Sequence, residues 1–143
     1  MADGKKAIGK VLIAEGFIIG RSVGYNNDGA DYGKETIGGI SRKFWPNWEG
    51  WDIVDVAKKT PGFPESLVNN QGLYDLIIDF YDINFWTQIG GDGIKSEIIA
   101  EMLVKAAVHE GVVPGISRAE SIVHLPETGK ASEILKTKLN LLP

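Results

Sequence analysis

At 143 residues, 43% hydrophobic and 24% charged, the chain suits one domain whose core needs no covalent staple. It has no Cys, which excludes disulfides, thiolate metal sites and a Cys nucleophile, and its two His, His109 and His124, leave little for a zinc site. A net charge of −4 argues against a dedicated nucleic-acid binder or a basic membrane-surface protein, and no apolar run nears the roughly 20 residues of a membrane span.

Residues 5–15 carry Ala7, Ile8, Val11, Leu12 and Ile13 at near-helical spacing, and Gly16 closes the run. Lys10 and Glu15 interrupt it too early for a secretory signal, so the chain is expected to be made in the cytoplasm. Residues 16–43 are dense in Gly and contain Asn26-Asn27-Asp28-Gly29, which predicts irregular chain with a short hairpin. Residues 65–86 place Leu67, Leu73, Leu76, Ile77, Phe80, Tyr81 and Phe85 on one broad helical face. Residues 95–110 repeat that pattern with Ile98, Ile99, Met102, Leu103, Ala106 and Ala107. Shorter helices are expected near 115–124 and 130–140, and there is no internal repeat, low-complexity tract or linker. The prediction is one mainly α domain with a Gly-rich lobe near its N-terminus.

Three groups of residues carry candidate chemistry. Glu15 lies at the C-terminal end of the first helix, where the negative end of the dipole favours a protonated carboxyl, as a general acid requires. The bland alternative, an exposed helix Glu, is the commoner case. Asp28, Asp31 and Glu35 follow in the loop, and glycosidic cleavage uses two carboxyl groups of unlike pKa flanking the bond. Calcium competes for Asn27, Asp28 and Asp31 as oxygen ligands, although the spacing of an EF-hand loop is absent. Turn residues chosen for backbone geometry are the plainest explanation of such a cluster. Trp45, Trp48 and Trp51 crowd into seven residues, either as the wall of a glycan cleft or as staples holding the Gly-rich lobe to the helices. His109 ends an apolar helical face, more often a structural position than a ligand's. No phosphate-binding loop, nucleotide fingerprint or nucleophile elbow is present.

Several stretches in order resemble glycoside hydrolase family 108, the lysozyme-like N-acetylmuramidases of phages and prophages. Ala7-x3-Val11-Leu12-x2-Glu15-Gly16 resembles the family's first helix and the start of its E-G-G-Y motif. Asp31-Tyr-Gly33-Lys-Glu-Thr36-x2-Gly39-Ile40-Ser41 resembles its D-x-G-G-x-T-x-x-G-I segment. Residues 42–55, from Arg42 through Pro46-Asn47-Trp48 and Gly50-Trp51 to Asp55, resemble the R-x-x-x-P-N-W-x-G-W-x-I-x-D continuation of one branch. Phe80-Tyr81-x3-Phe85-Trp86-x2-Ile89 and Leu103-x4-Val108-His109-x-Gly111 resemble two later helices, with Lys105 and His109 where Asp and Asn are usual.

The resemblance implies a lysozyme-like helical fold and hydrolysis of the β-1,4 bond between N-acetylmuramic acid and N-acetylglucosamine. Glu15 takes the place of the catalytic acid, with Asp31 and Thr36 on the polar positions that stabilise the cation or hold water. Tyr25, Trp45, Trp48, Trp86 and His109 fall where a glycan would be bound. Phe17–Val23 reads as a seven-residue insertion between Glu15 and Asp31. An ungapped alignment through Gly24-Tyr25 instead sets Ser22 at the acid's position; the helix pattern before Glu15 favours Glu15. No metal or cofactor is implied. The partner implied is the peptidoglycan strand, reached through a holin, lysis or a secretion machine, and 129–143 is expected as the remnant of a C-terminal wall-binding part. The competing class is a catalytically silent lysozyme-like domain that binds glycan or protein.

Overall fold

The computed structural model describes residues 1–27 and 35–143. Its residues sort into two compact units: a central one, Lys10–Asp79, and a terminal one made of Met1–Gly9 and Phe80–Pro143. The length and the lack of a linker predict one domain. Because the terminal unit combines both ends of the chain, no linker or change in composition marks the division.

The first helix, α1 (Gly4–Ala14), lies where periodicity put it. Asp3 caps it: its Oδ1 accepts from the Lys5 and Lys6 amides at 3.0 and 3.3 Å. Ala7, Ile8, Val11 and Leu12 are its buried residues, one face at helical spacing.

Within the central unit, the Gly-rich stretch resolves into two small antiparallel sheets. In the first, β1 (Phe17–Ile18) pairs with β2 (Ser22–Val23), Phe17 opposite Val23 and Ile18 opposite Ser22. Strand alternation buries Phe17 and Val23 and exposes Ile18 and Ser22. In the second, β4 (Glu35–Ile37) lies between β3 (Asn26–Asn27) and β5 (Ile40–Ser41). Gly38 and Gly39 join β4 to β5 at φ 55° and 82°, the left-handed pair that a tight two-residue hairpin demands. Residues 50–58 form α2 (Gly50–Lys58), a helix the apolar pattern did not announce, because only Trp51 and Val54 of its large apolar residues are buried.

The expected helix over 65–86 is divided. A 3₁₀ turn at Glu65–Leu67 comes first. Asn70 then caps α3 (Gln71–Tyr81) by accepting from the Leu73 amide at 2.9 Å. In the terminal unit a π-turn, Asp82–Trp86, follows. The helix α4 (Glu97–Glu110) is capped by Ser96, and α5 (Val112–Ile122) follows after Gly111 at φ 102°. These two pack closely at Gly115, where a Cβ would stand 3.0 Å from the Ala107 nitrogen. The last helix, α6 (Glu133–Asn140), buries Leu135 and Leu139. The Asn140 side chain bonds the Lys95 amide and the Gly93 carbonyl, each at 2.9 Å. The segment expected as a wall-binding remnant is thus built into the terminal unit. The loop before it is held by Glu120, 2% exposed, which accepts from the Thr128 and Gly129 amides and the Thr128 hydroxyl at 2.7–2.8 Å. Burial alone would raise its pKa, but these bonds outweigh it and keep the carboxyl below the ordinary value.

Among the described residues no helix is long and apolar enough to cross a membrane. Gly115→Ala should lower stability by about 1–3 kcal/mol through overpacking. Urea denaturation would measure it, and an unchanged midpoint would refute the close α4–α5 approach.

Candidate active site

Glu15 is the first residue past α1, half-buried, with its amide bonded to the Val11 and Leu12 carbonyls at 3.0 and 3.1 Å. Gly16, at φ 85°, turns the chain out into the β1–β2 hairpin, and Gly24, at φ 61°, receives it on return. The two glycines meet. A Cβ on Gly24 would lie 2.6 Å from the Glu15 carbonyl oxygen and 3.1 Å from the Gly16 carbonyl carbon, and one on Gly16 would lie 3.3 Å from the Gly24 Cα. Neither a side chain nor an ordinary backbone conformation fits there, so both positions require glycine. Ser22 lies on the exposed face of β2, where its hydroxyl accepts from the Gly24 amide at 3.2 Å.

Tyr25 follows Gly24. Its ring meets Phe63 edge-on at 4.7 Å, and its hydroxyl donates to Glu35 Oε2 at 2.7 Å. Glu35, the first residue of β4, is 8% exposed and forms the centre of a cluster that sequence reasoning did not assemble. Lys58 donates to its Oε2, and Arg42 Nη1 to its Oε1 at 3.0 Å. Arg42 also forks onto Asp55, with Nη1 2.7 Å from Oδ1 and Nη2 2.6 Å from Oδ2. Its guanidinium stands over the Trp51 ring, 5.0 Å from the centroid. Two cations and two anions therefore meet, with a phenol on the central carboxylate.

The titration shifts follow from this geometry. Burial pushes the Glu35 carboxyl up, but the bonds from Lys58, Tyr25 and Arg42 together outweigh it and leave the pKa below its ordinary value. Burial would lower Lys58, yet its bond to Glu35 raises it. Tyr25 is raised by burial and by donating to a carboxylate. Asp55 is lowered chiefly by the Arg42 fork.

The other predicted site residues divide between the units. Thr36 lies in β4, half-buried, opposite Asn26 on one side and Ser41 on the other. Trp45 is 39% exposed, and its carbonyl accepts the Trp51 indole N–H at 2.9 Å. Trp48 stands edge-on to Trp51 at 5.5 Å and lies over Gly50, where a Cβ would enter its ring. The three Trp thus contact one another within the central unit, while Trp45 keeps an exposed ring. Trp86, expected as a glycan contact, is 2% exposed in the terminal unit. Its ring packs against Gly4 and Gly91 and its N–H bonds Asp92 at 2.8 Å, which makes it a core residue. His109 is exposed in the last turn of α4, also in the terminal unit. Asp31, and Asp28 of the calcium reading, lie outside the described residues. Among the described residues no group of three or more His, Asp or Glu is placed to hold a metal.

Of the cluster, Arg42 and Asp55 were visible as the two ends of the R-x-x-x-P-N-W-x-G-W-x-I-x-D stretch. Lys58 stands one helical turn beyond Asp55. Only the fold brings Glu35 to them.

The chain is mainly helical, with short antiparallel hairpins in its central unit. The family profile Glycosyl hydrolase 108 matches residues 8–111, and the chain belongs to that family. Its fold is similar to the solved structure of Brucella abortus SagA, with a TM-score of 0.63 and 17% identity over 98% of this chain and 70% of that one. No curated protein sequence matches the chain.

The Glu35 cluster has a pH signature. In the unfolded chain this carboxyl has its ordinary pKa of about 4.3, and folding lowers it. The cluster's contribution is therefore complete above that value and is lost as pH falls through the lower, folded pKa. Glu35→Gln should cost about 1–3 kcal/mol at neutral pH, an amount limited by the solvent reaching Arg42 and Lys58. The gap from wild type should shrink in acid. Urea titrations at neutral and acidic pH would read it; an equal gap at both would contradict the assignment.

Proposed function

We propose that the protein is an N-acetylmuramidase, cutting the β-1,4 bond between N-acetylmuramic acid and N-acetylglucosamine in peptidoglycan, with Glu15 as the general acid. Glu15 gives its proton to the glycosidic oxygen as the bond to the muramic C1 breaks. Asp31 stabilises the positive charge at that carbon, Thr36 holds the water that adds to it, and the water's proton leaves to the base so generated. Tyr25 and Trp45 line the glycan path. The substrate places the reaction at the cell wall.

One observation carries the choice of Glu15. On this reading the family's E-G-G-Y motif is split between Glu15-Gly16 and Gly24-Tyr25. The β1–β2 hairpin closes on itself so that Gly24 abuts Glu15 and Gly16. Gly24, with Tyr25 next in the chain, thereby lies against Glu15 and Gly16, with seven residues looped out between them. Ser22 belongs to the looped-out strand and has no carboxyl to offer.

The test is the release of reducing ends from purified sacculi. Wild type should release them, Glu15→Gln should lose at least about 100-fold, in line with removal of a general acid, and Ser22→Ala should stay within twofold of wild type. Full activity in Glu15→Gln would move the acid elsewhere. Sacculus binding with no release by wild type would favour the silent, glycan-binding reading instead.

A further inference from the structure

The hairpin that divides the motif has two unlike faces. Inward, Phe17 and Val23 are each 3% exposed, and the Phe17 ring packs against Tyr74 at 5.8 Å. Its tip is pinned as well, since the Gly20 amide donates to the Val68 carbonyl at 2.9 Å and the Arg21 amide to the Ile18 carbonyl at 2.9 Å. The hairpin is thus held from inside and through its backbone. Outward it presents Ile18, Ile19, Arg21 and Ser22, all exposed. No ion pair of Arg21 with any described residue occurs, in a protein of net charge −4. Of these outer side chains, Ser22 bonds back into the hairpin, its hydroxyl accepting from the Gly24 amide at 3.2 Å.

We infer that the β1–β2 hairpin is a substrate-selecting arm that reads the carboxylate-bearing peptide stems of the glycan strand, with Arg21 as its ionic contact and Ile18 and Ile19 as its apolar one. The inference rests on the muramidase reading and deepens it. Position is the first argument. Ile18 is three residues from Glu15, and Arg21 is three from Gly24, which touches Glu15, so both Cα atoms lie within about 11 Å of the motif by chain length alone. A stem peptide branches from the muramic acid, the same sugar whose bond is cut. Chemistry is the second argument. Sugar faces are stacked by aromatic rings, and the lactyl carboxyl of muramic acid is an uncharged amide wherever a stem is attached, so an isoleucine pair with a guanidinium that has no ion pair to any described residue does not suit the sugars themselves. It suits a short peptide of alanine methyls and carboxylates, which Arg recognises in bidentate fashion.

The experiment compares two substrates: sacculi with intact stems, and glycan strands stripped of them by an amidase and then capped as methylamides at the freed lactyl carboxyls, so that no new charge is left on the sugar. Arg21→Glu and Ile19→Ser alter only the outer face, so both variants keep the thermal melting of wild type. On intact sacculi, KM should rise about tenfold for Arg21→Glu and severalfold for Ile19→Ser, with kcat within twofold of wild type. On stripped strands neither variant should differ from wild type. Raising the salt concentration should erase much of the wild-type preference for intact sacculi, because exposed charge pairs are screened. Equal effects on both substrates, or none on either, would overturn the inference. Co-sedimentation with the two materials supplies a readout independent of catalysis. If wild type cleaves neither, the muramidase reading fails, while selective loss of Arg21→Glu from intact sacculi alone would still support the arm, and equal pelleting would refute it.

Discussion

The central unit is organised around one buried carboxylate. Its strands are two or three residues long, too short to stand as independent sheets. Glu35 supplies what the strands lack. Its two oxygens accept from a phenol just ahead of β3, a guanidinium just after β5 and an ammonium near the end of α2. Each donor comes from a different piece of backbone, so satisfying one charge fixes three segments at once. Removing any donor leaves a low-dielectric anion less compensated, and the lobe resists that loss cooperatively. Glu120 does comparable work in the terminal unit with neutral donors only, two amides and a hydroxyl, and fixes a loop rather than a lobe.

The proposed acid depends on the same lobe through the backbone. Tyr25 is bonded to Glu35, and Gly24 beside it lies on the carbonyl of Glu15. The end of α1 and the ion cluster are therefore joined by two consecutive residues. The position of Glu15 is set by helix geometry on one side and by this contact on the other. A carboxyl that must serve a single glycosidic oxygen needs such a rigid setting more than it needs any particular neighbour.

Much of the fold was legible because it follows from periodicity. The helices α1 and α4 lie close to the expected ranges, and α5 and α6 are displaced by a few residues only. The run over 65–86 was legible as helix but not as three pieces, since Leu67 continues the apolar spacing across a break that the Asn70 cap imposes. Helix α2 was hidden by its own composition, as the Trp and Gly that begin it read as a loop. The site was legible only in part. Glu15, Thr36 and the Arg42–Asp55 stretch stand out through family resemblance, whereas the meeting of Glu35 with Arg42 and Lys58 depends on a hairpin register that alternation over two-residue strands cannot specify. Trp86 misled for a physical reason: an indole that packs on glycines and bonds an Asp has the same letter as one that stacks on sugar.

The junction of Gly16 with Gly24 also determines where this chain can vary. Because the two residues stand side by side, whatever lies between them begins and ends at one point, and its length does not alter the path of α1 or of β3. Lengthening such an excursion carries only a slowly growing closure entropy. The junction is thus a graft point beside the proposed reaction centre, at which a loop of new length or chemistry can be spliced in while the helix and the ion cluster keep their places.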